Sequence, residues 1–519
     1  MTQISFFDGD TPLKITKPIR LIELFAGYGS QSLALKYLGV PFEHWKICEW
    51  AVKSIQAYKD LNFGDDNCDY SKAYSVDELI DKLLEKGISA DYSSPMTREQ
   101  IKRMGEQKIR TVYNNIVATN NLVSVCNAHA RDFEIEDTDK HTYIMTYSFP
   151  CQDLSKAGNG AGMAKGSGTR SGMLWEVERI LDECNGNLPQ ILLMENVPDV
   201  IGSNNIKHFA QWVKKLDELG YTSKWQCLNA KDYGVPQNRD RCFMVSWLGN
   251  HYYDFTTPIK LDKRLKDVLE TNVDEKYYLS EKTLISYTEF NRKNEEKGNG
   301  FRFDPVESEG IAKTISTRSG MRQCDTYVLC ECVGMLGGEK YKKMHDIARR
   351  VYSPNGIAPT QHTCGGGNLE TKIVETLALD EQNGYVRQYG TVGTLTTDGS
   401  SPKHNNRIVE VRNGAFRGRN PDNPSDKTPG APTKQRLEIN NNGTANTLTT
   451  VQKDNVVVEP SAEKFRVRKL TPRECGRLMG VRDEDIDKMS VNQSNSSLYH
   501  MFGDSIVIDV LMAIFKQMI

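Results

Sequence analysis

The sequence predicts an α/β fold, a mostly parallel sheet with helices on both faces, joined to a smaller β-rich domain. Short apolar runs alternate with helical periodicity over about the first 300 residues, which is the pattern of strands connected by crossover helices. A glycine-lined turn, GYGS (27–30), follows the first apolar run directly. Beyond about residue 300 helical periodicity fades, and Gly, Asn, Thr and Pro become frequent.

Taken in order, RLIELF (20–25) reads as a strand, GYGS as a turn, and QSLALKYLG as a helix closed by glycine. HWKICEW (44–50) is the next strand. Residues 71–125 read as a helical insertion, in which SVDELIDKLLEKG carries an N-cap serine and a terminal glycine. Later strands are expected at 142–149, 190–197 and 240–248. Four Thr-x-x-Thr units follow, AKTIST (312–317), APTQHT (358–363), VGTLTT (392–397) and ANTLTT (445–450), each preceding a short β-branched run. After 460 the chain turns basic and helical, and SIVIDVLMAIFKQMI closes it as an apolar helix. The expected domains are 1–300, 301–460, and a segment 461–519 that returns to the first.

A chain of 519 residues is expected to form two to three domains. With 66 basic and 68 acidic side chains, overall charge makes no case for nucleic acid or a membrane surface, so a polyanion site must be a local patch. No run of about 18 apolar residues predicts a membrane-crossing helix. MTQISFFDGD has no basic segment followed by an apolar core, so no secretory signal is expected. Twelve cysteines without a CxxC read as reduced thiols of a cytoplasmic protein. Cys324, Cys330, Cys332, His345, His362 and Cys364 lack a tight ligand pair, and no metal is expected.

Ligands of such sheets bind at the carboxyl ends of the strands, where GYGS and PCQ (150–152) both fall. In ELFAGYGS the glycines allow backbone to approach a ligand closely, although Ser32 stands where a dinucleotide fingerprint has its third glycine. Glu49, about 20 residues on, is placed to hold ribose hydroxyls. Trp50 suits either adenine stacking or ordinary packing. Together they point to an adenosine cofactor. Glu195, ending the apolar run QILLM, is costly to bury unless paired or protonated, and a raised pKa would let it hand a proton to a heterocycle. Arg239 and Arg241 in QNRDR alternate, so on one strand they would share a face and hold an anion or steady the glutamate. Cys151 in SFPCQDLS is either a nucleophile or a small buried hydrophobe.

These pieces occur in a specific order. FAGYGS, CEWA, ARDF (130–133), SFPCQDLS, TRSGML (169–174), MENV, QNRDR, RKLTPRECGRLMG (468–480) and SLYHMFGDSIV (497–507) resemble the motif series of DNA cytosine carbon-5 methyltransferases of the bacterial and bacteriophage type. The resemblance covers almost the whole chain, and PCQ, ENV and LTPRE in that order make a specific signature. It implies a Rossmann-like S-adenosylmethionine-dependent fold with a mixed sheet, plus a target-recognition domain over 301–460. It further implies Cys151 as nucleophile, with Glu195, Arg239 and Arg241 beside it. S-adenosylmethionine would be held by Phe25, Gly27, Gly29, Ser30, Glu49, Trp50, Asp132, Pro150, Asp504 and Ser505.

The six glycines between 151 and 172 fit a loop that closes over DNA. Gln152 and Ser155 next to the nucleophile are expected at the DNA. Loops after the Thr-x-x-Thr units offer Arg318, Arg322 and Arg407 as guanine readers. Double-stranded DNA is the expected partner of a monomer, with a restriction endonuclease acting separately, and the expected setting is a bacterial cell or phage-infected host. In the last motif Met501 and Asp504 depart from the family's glutamine and asparagine, which bears on the lid of the cofactor pocket. A catalytically silent DNA-binding protein, an RNA cytosine methyltransferase and a nicotinamide-dependent oxidoreductase are the rival readings. The last has no use for PCQ or ENV.

Overall fold

A computed structural model describes residues 11–64, 68–151, 154, 162–298, 300–330 and 466–519. Between 331 and 465 it describes 332–335, 350–352, 358–359, 372–373, 377–380, 385–388, 412–419, 434–440 and 455–458. The chain divides into two compact units, one of residues 1–269, 282–328 and 469–519, the other of residues 270–281 and 329–468.

The larger unit is built on six strands: β1 (Ile19–Leu24), β2 (Phe42–Cys48), β3 (Thr142–Tyr147), β4 (Ile191–Asn196), β5 (Tyr221–Asn229) and β6 (Asp240–Leu248). Their order is β2-β1-β3-β4-β6-β5. β1 runs parallel to β2 and β3, and β3 parallel to β4. β6 lies antiparallel between β4 and β5, which makes the sheet mixed. β3 and β4 are buried along their whole length, the expected state of central strands with near-continuous apolar sequence. β5 was not expected, because YTSKWQCLN is only partly buried and lacks an apolar run.

Helices connect the strands: α1 (Ser30–Tyr37) and α2 (Val52–Asn62) flank β2, while α6 (Leu174–Glu183) and α7 (Ile206–Glu218) flank β4. The insertion folds as α3 (Val76–Lys86), α4 (Arg98–Arg103) and α5 (Glu106–Ala118). Reciprocal capping boxes start α3 (Ser75 with Glu78) and α4 (Thr97 with Gln100), and Gly87 at φ 74° ends α3. Leu79, Ile80, Leu83, Ile101, Ile109, Val112 and Ile116 pack with Val52 and Ile55 of α2 into a core of their own.

The C-terminal segment adds α8 (Pro472–Leu478), α9 (Asp483–Asn492), α10 (Asn495–Asp504) and α11 (Ile508–Lys516). LTPRE is the start of α8. Thr471 is the N-cap, Pro472 occupies the first helical position, and buried Glu474 completes the capping box. The span Asn495–Lys516 is apolar enough in composition to cross a membrane, contrary to expectation, but it is 67% buried and broken into two helices at Ser505–Val507. Burial in the larger unit accounts for its apolarity.

The expected boundary at 301 falls differently. AKTIST belongs to the larger unit, where Ala312–Lys313 pairs in parallel with Gln237–Asn238. The loop that follows, with Arg318 and Arg322, lies in that unit too. In the smaller unit Arg412–Arg419 pairs antiparallel with both Lys434–Asn440 and Asn455–Val458, and Leu377–Asp380 pairs antiparallel with Tyr385–Gln388. Of the other Thr-x-x-Thr units only Ala358–Pro359 is described; the rest, with Arg407, lies outside the described residues.

Candidate active site

Cys151 follows β3 at the carboxyl end of the sheet, half-buried against the main core. Its carbonyl accepts the Leu154 N–H at 3.0 Å, so the chain turns there. Two neighbours hold the preceding backbone: Asn196 Nδ2 donates to the Phe149 carbonyl at 2.9 Å, and Ser171 Oγ to the Pro150 carbonyl at 2.7 Å. The asparagine of ENV therefore shapes the cysteine loop, and the serine of TRSGML does the same from the other side. Gln152 and Ser155 lie outside the described residues.

Glu195 is the penultimate residue of β4 and is 7% exposed. Arg241 of β6 reaches it, with Nε 3.1 Å from Oε1. Burial raises the Glu195 pKa, and Arg241 and Arg239 oppose that rise. Burial likewise raises the Cys151 pKa; Arg241 and Arg239 lower it, while Glu195 and Asp504 push it up. The thiol and the carboxyl thus share one electrostatic environment in which protonated forms are favoured and the arginines restore charge.

Arg239 does not share a strand face with Arg241, as the alternation suggested. It precedes β6, is 2% exposed, and donates to the carbonyls of Ile315 (2.9 Å), Gly503 (2.9 Å) and Ser505 (2.8 Å). Buried Gln237 adds a bond from its Nε2 to the Leu478 carbonyl at 2.6 Å and accepts from Ile315 N–H at 3.0 Å. QNRDR is in this way one charged hand on Glu195 and one anchor for two distant segments. The loop after Ile315 is held by Asp325, which accepts from Ser316 Oγ and from the N–H groups of Met321 and Arg322. Arg318 and Arg322 project from it exposed. A Cβ on Gly503 would sit 2.3 Å from Thr317 N, so α10 needs glycine to pack against this loop.

At the other corner Phe25 (φ 58°), Gly27 (φ 56°) and Gly29 (φ 88°) give the turn a left-handed path. A Cβ on Gly29 would lie 2.6 Å from Ser32 Oγ and 2.8 Å from the Tyr58 ring, whereas one on Gly27 would meet nothing within 4 Å. Gly29 is fixed by packing and Gly27 faces an open space. Buried Ser30 opens α1, whose Ser32 N–H donates to Glu23 Oε1 at 3.2 Å. Glu49 accepts from Gly27 N–H (2.8 Å) and Ala51 N–H (2.7 Å), and burial pushes its pKa up to about 7. Trp50 packs against the insertion's core. Asp132 accepts from His129 N–H at 2.8 Å. Ser505 Oγ and Tyr28 OH are hydrogen-bonded at 2.8 Å, and half-exposed Asp504 has Oδ2 3.2 Å from His500 Nδ1. Met501 is buried, so its departure from glutamine removes a polar group from the core side of α10.

A glycine turn open on one side, with a buried carboxylate hydrogen-bonded across it, fits the ribose and adenine of an adenosyl cofactor. The family model of the C-5 cytosine-specific DNA methylase matches residues 101–519, well over half of the chain. The chain belongs to this family. It is 37% identical over 303 residues to the orphan methyltransferase M.SssI of Spiroplasma monobiae, covering 57% of this chain and 76% of that one. It is 28% identical over 508 residues to the type II methyltransferase M2.ScrFI of Lactococcus lactis subsp. cremoris, covering 96% and 99%. Among solved structures it is similar to the S. pombe Dnmt2 methyltransferase at 14% identity and a TM-score of 0.46, over 96% of this chain and 97% of that one. This methylase is a DNA cytosine-5-methyltransferase, and its methyl donor is S-adenosylmethionine.

Sequence reasoning passed over several residues that build the site. Tyr28, Asn196, Ser171 and Gln237 all lie inside motifs but act through backbone carbonyls or each other, a role that residue type alone does not announce. Cys324 is the one member of the Cys/His set whose side chain is described, and among the described residues no cluster could hold a metal.

Proposed function

We propose that the methylase modifies a flipped-out cytosine in a specific double-stranded DNA sequence by covalent catalysis through Cys151. Flipping is required because the ring carbons are unreachable in the stacked duplex. The Cys151 thiolate attacks carbon 6, forming an S–C6 bond. Glu195 in its protonated form, which burial favours and the arginines oppose, donates to N3, where the electron density displaced by the attack collects. Arg241 holds the Glu195 carboxyl in place and stabilises both the thiolate and the glutamate that has given up its proton. S-adenosylmethionine, when bound, supplies an electrophilic methyl group to carbon 5. Loss of the carbon-5 proton to a base then re-forms the C5–C6 double bond and expels the Cys151 thiolate, and the N3 proton returns to Glu195.

The observation that carries this reading is the buried Glu195–Arg241 pair at 3.1 Å, sharing its electrostatic environment with a half-buried thiol. Arg318, Arg322 and Arg407, with the unit of residues 329–468, are proposed to contact the target bases, and Gln152 and Ser155 to act beside the flipped nucleotide. Phe25, Gly27, Gly29, Ser30, Glu49, Trp50, Asp132, Pro150, Asp504 and Ser505 are proposed to hold the cofactor. The proposed setting is a monomer in the cytoplasm that protects DNA in restriction–modification or in a phage's evasion of restriction; the type II methyltransferase among the relatives supports the restriction–modification role. DNA carrying 5-fluorocytosine in the target tests the mechanism, since fluorine cannot leave as a proton does. A denaturant-stable complex with wild type and none with Cys151→Ala is expected; a complex that survives the substitution would refute it.

A further inference from the structure

The insertion has no part in the chemistry described above, yet it is bolted to the cofactor corner. Immediately after Glu49, Ser89 N–H donates to the Trp50 carbonyl at 2.8 Å and Val52 N–H to the Ser89 carbonyl at 2.9 Å. Three residues on, Tyr92 sits at φ 62°, a left-handed backbone that bulky side chains rarely adopt and that tends to persist where function requires it. Asp91 holds this conformation by accepting from the N–H groups of Ser93 (2.9 Å) and Ser94 (3.2 Å). The Tyr92 hydroxyl is hydrogen-bonded with Ser54 Oγ of α2 at 3.0 Å. Its ring stacks on the His500 imidazole of α10, centroids 4.0 Å apart and planes 14° from parallel.

These contacts close a ring. Gly27 is bonded to Glu49, Glu49 leads through Trp50 to Ser89 and Tyr92, and Tyr92 stacks on His500. His500 stands one helical turn before Asp504, and Ser505 returns by its hydroxyl to Tyr28 of the glycine turn. A Cβ on Gly27, the first member of the ring, would meet nothing within 4 Å. We propose that the insertion supplies Tyr92 as a positioning residue for S-adenosylmethionine, the Tyr92–His500 stack forming the outer wall of the cofactor site. This rests on the cofactor assignment above, and it gives the insertion and His500 a task that buried Met501 cannot perform. The sulfonium and ammonium groups of the cofactor are cations, which an aromatic wall beside a carboxylate attracts.

The test is cofactor binding by the full chain, read by titration calorimetry with S-adenosylmethionine, together with the KM for cofactor and for DNA. Tyr92→Ala is expected to weaken cofactor binding by about tenfold, the scale of one lost aromatic contact, and to raise the cofactor KM in step while the KM for DNA stays unchanged. Tyr92→Phe keeps the ring and is expected to restore binding to within about twofold. His500→Ala removes the other half of the stack and is expected to repeat the loss, which keeps the proposal testable if Tyr92→Ala does not fold. Unchanged cofactor affinity in either alanine variant, or a KM for DNA that rises as much as that for cofactor, would overturn the role of Tyr92. Failure of the wild type to bind S-adenosylmethionine would instead overturn the cofactor assignment.

Discussion

The two corners of the site are built from different materials. At the corner proposed for catalysis, buried side-chain charges dominate: Glu195 against Arg241, with Cys151 sensing both. At the corner proposed for the cofactor, backbone shape dominates, through left-handed residues 25, 27 and 29 and N–H groups donated to Glu49. Charges in low dielectric are sensitive to isosteric changes that leave shape alone, whereas a tight turn is sensitive to one methyl group. Mutations can therefore separate the two corners.

The largest separation is expected at the catalytic corner. Glu195→Gln keeps the shape but loses the acid, and kcat is expected to fall by about 10²–10⁴-fold, the usual worth of a positioned proton donor. Calorimetric affinity for cofactor should stay within about threefold, a fraction of one contact's energy. Equal losses in both readouts would mean that the corners are not separable.

Next comes Arg239, which reaches from one corner to the other through the carbonyls of Ile315, Gly503 and Ser505. Arg239→Ala leaves two buried acceptors and one part-buried acceptor without their donor, so stability should drop by about 3–5 kcal/mol in a denaturant titration. Both turnover and cofactor affinity should decline together. A variant of unchanged stability would show that Arg239 does not tie the segments.

The two glycines sharpen the comparison within the cofactor corner. Gly29→Ala drives a Cβ into Ser32 and Tyr58 on a left-handed backbone, and should destabilise the protein by about 2–3 kcal/mol even without cofactor. Gly27→Ala carries only the backbone cost of about 1–2 kcal/mol and places its methyl in the open space. Its larger effect should be on cofactor affinity. The reverse pattern would move the cofactor away from Gly27.

Titration offers a subtler contrast. Burial holds the Cys151 thiol above its ordinary pKa, so its alkylation by iodoacetamide should speed up as pH rises through the alkaline range. Arg241 lowers that pKa, so Arg241→Ala should move the limb to higher pH. Glu195 raises it, so Glu195→Gln should move the limb to lower pH. The smallest effect is expected for Asp504→Asn. The carboxylate is half-exposed, and cofactor affinity should change by less than about tenfold.

The same contrast explains what was legible in the sequence. Four of the six strands matched apolar runs, and the strand at 240–248 matched its run to the residue, because buried central strands need continuous apolar sequence. β2 was found from a mixed rather than continuous apolar run, and β5 was missed because it is half-exposed. LTPRE was read only as one motif of the series, although its Thr471–Glu474 capping box is local. Cys151 and Glu195 stood out because reactive groups at strand ends are costly unless used. The anchoring role of Arg239 was not legible, since its partners lie 76 to 266 residues away. Nor was the stack of Tyr92 on His500, which joins an insertion to the last motif. The boundary at 301 went astray because Thr-rich strand signals look alike whether they pair with Gln237–Asn238 or inside the smaller unit.

The central claim is that this chain methylates cytosine through the Cys151 thiolate. Bisulfite sequencing of DNA from cells expressing the wild type or Cys151→Ala tests it most directly. The wild type should protect cytosines within one or a few defined sequences from conversion, and the alanine variant, produced at the same level, should protect none. Protection that persists in the alanine variant would contradict the account.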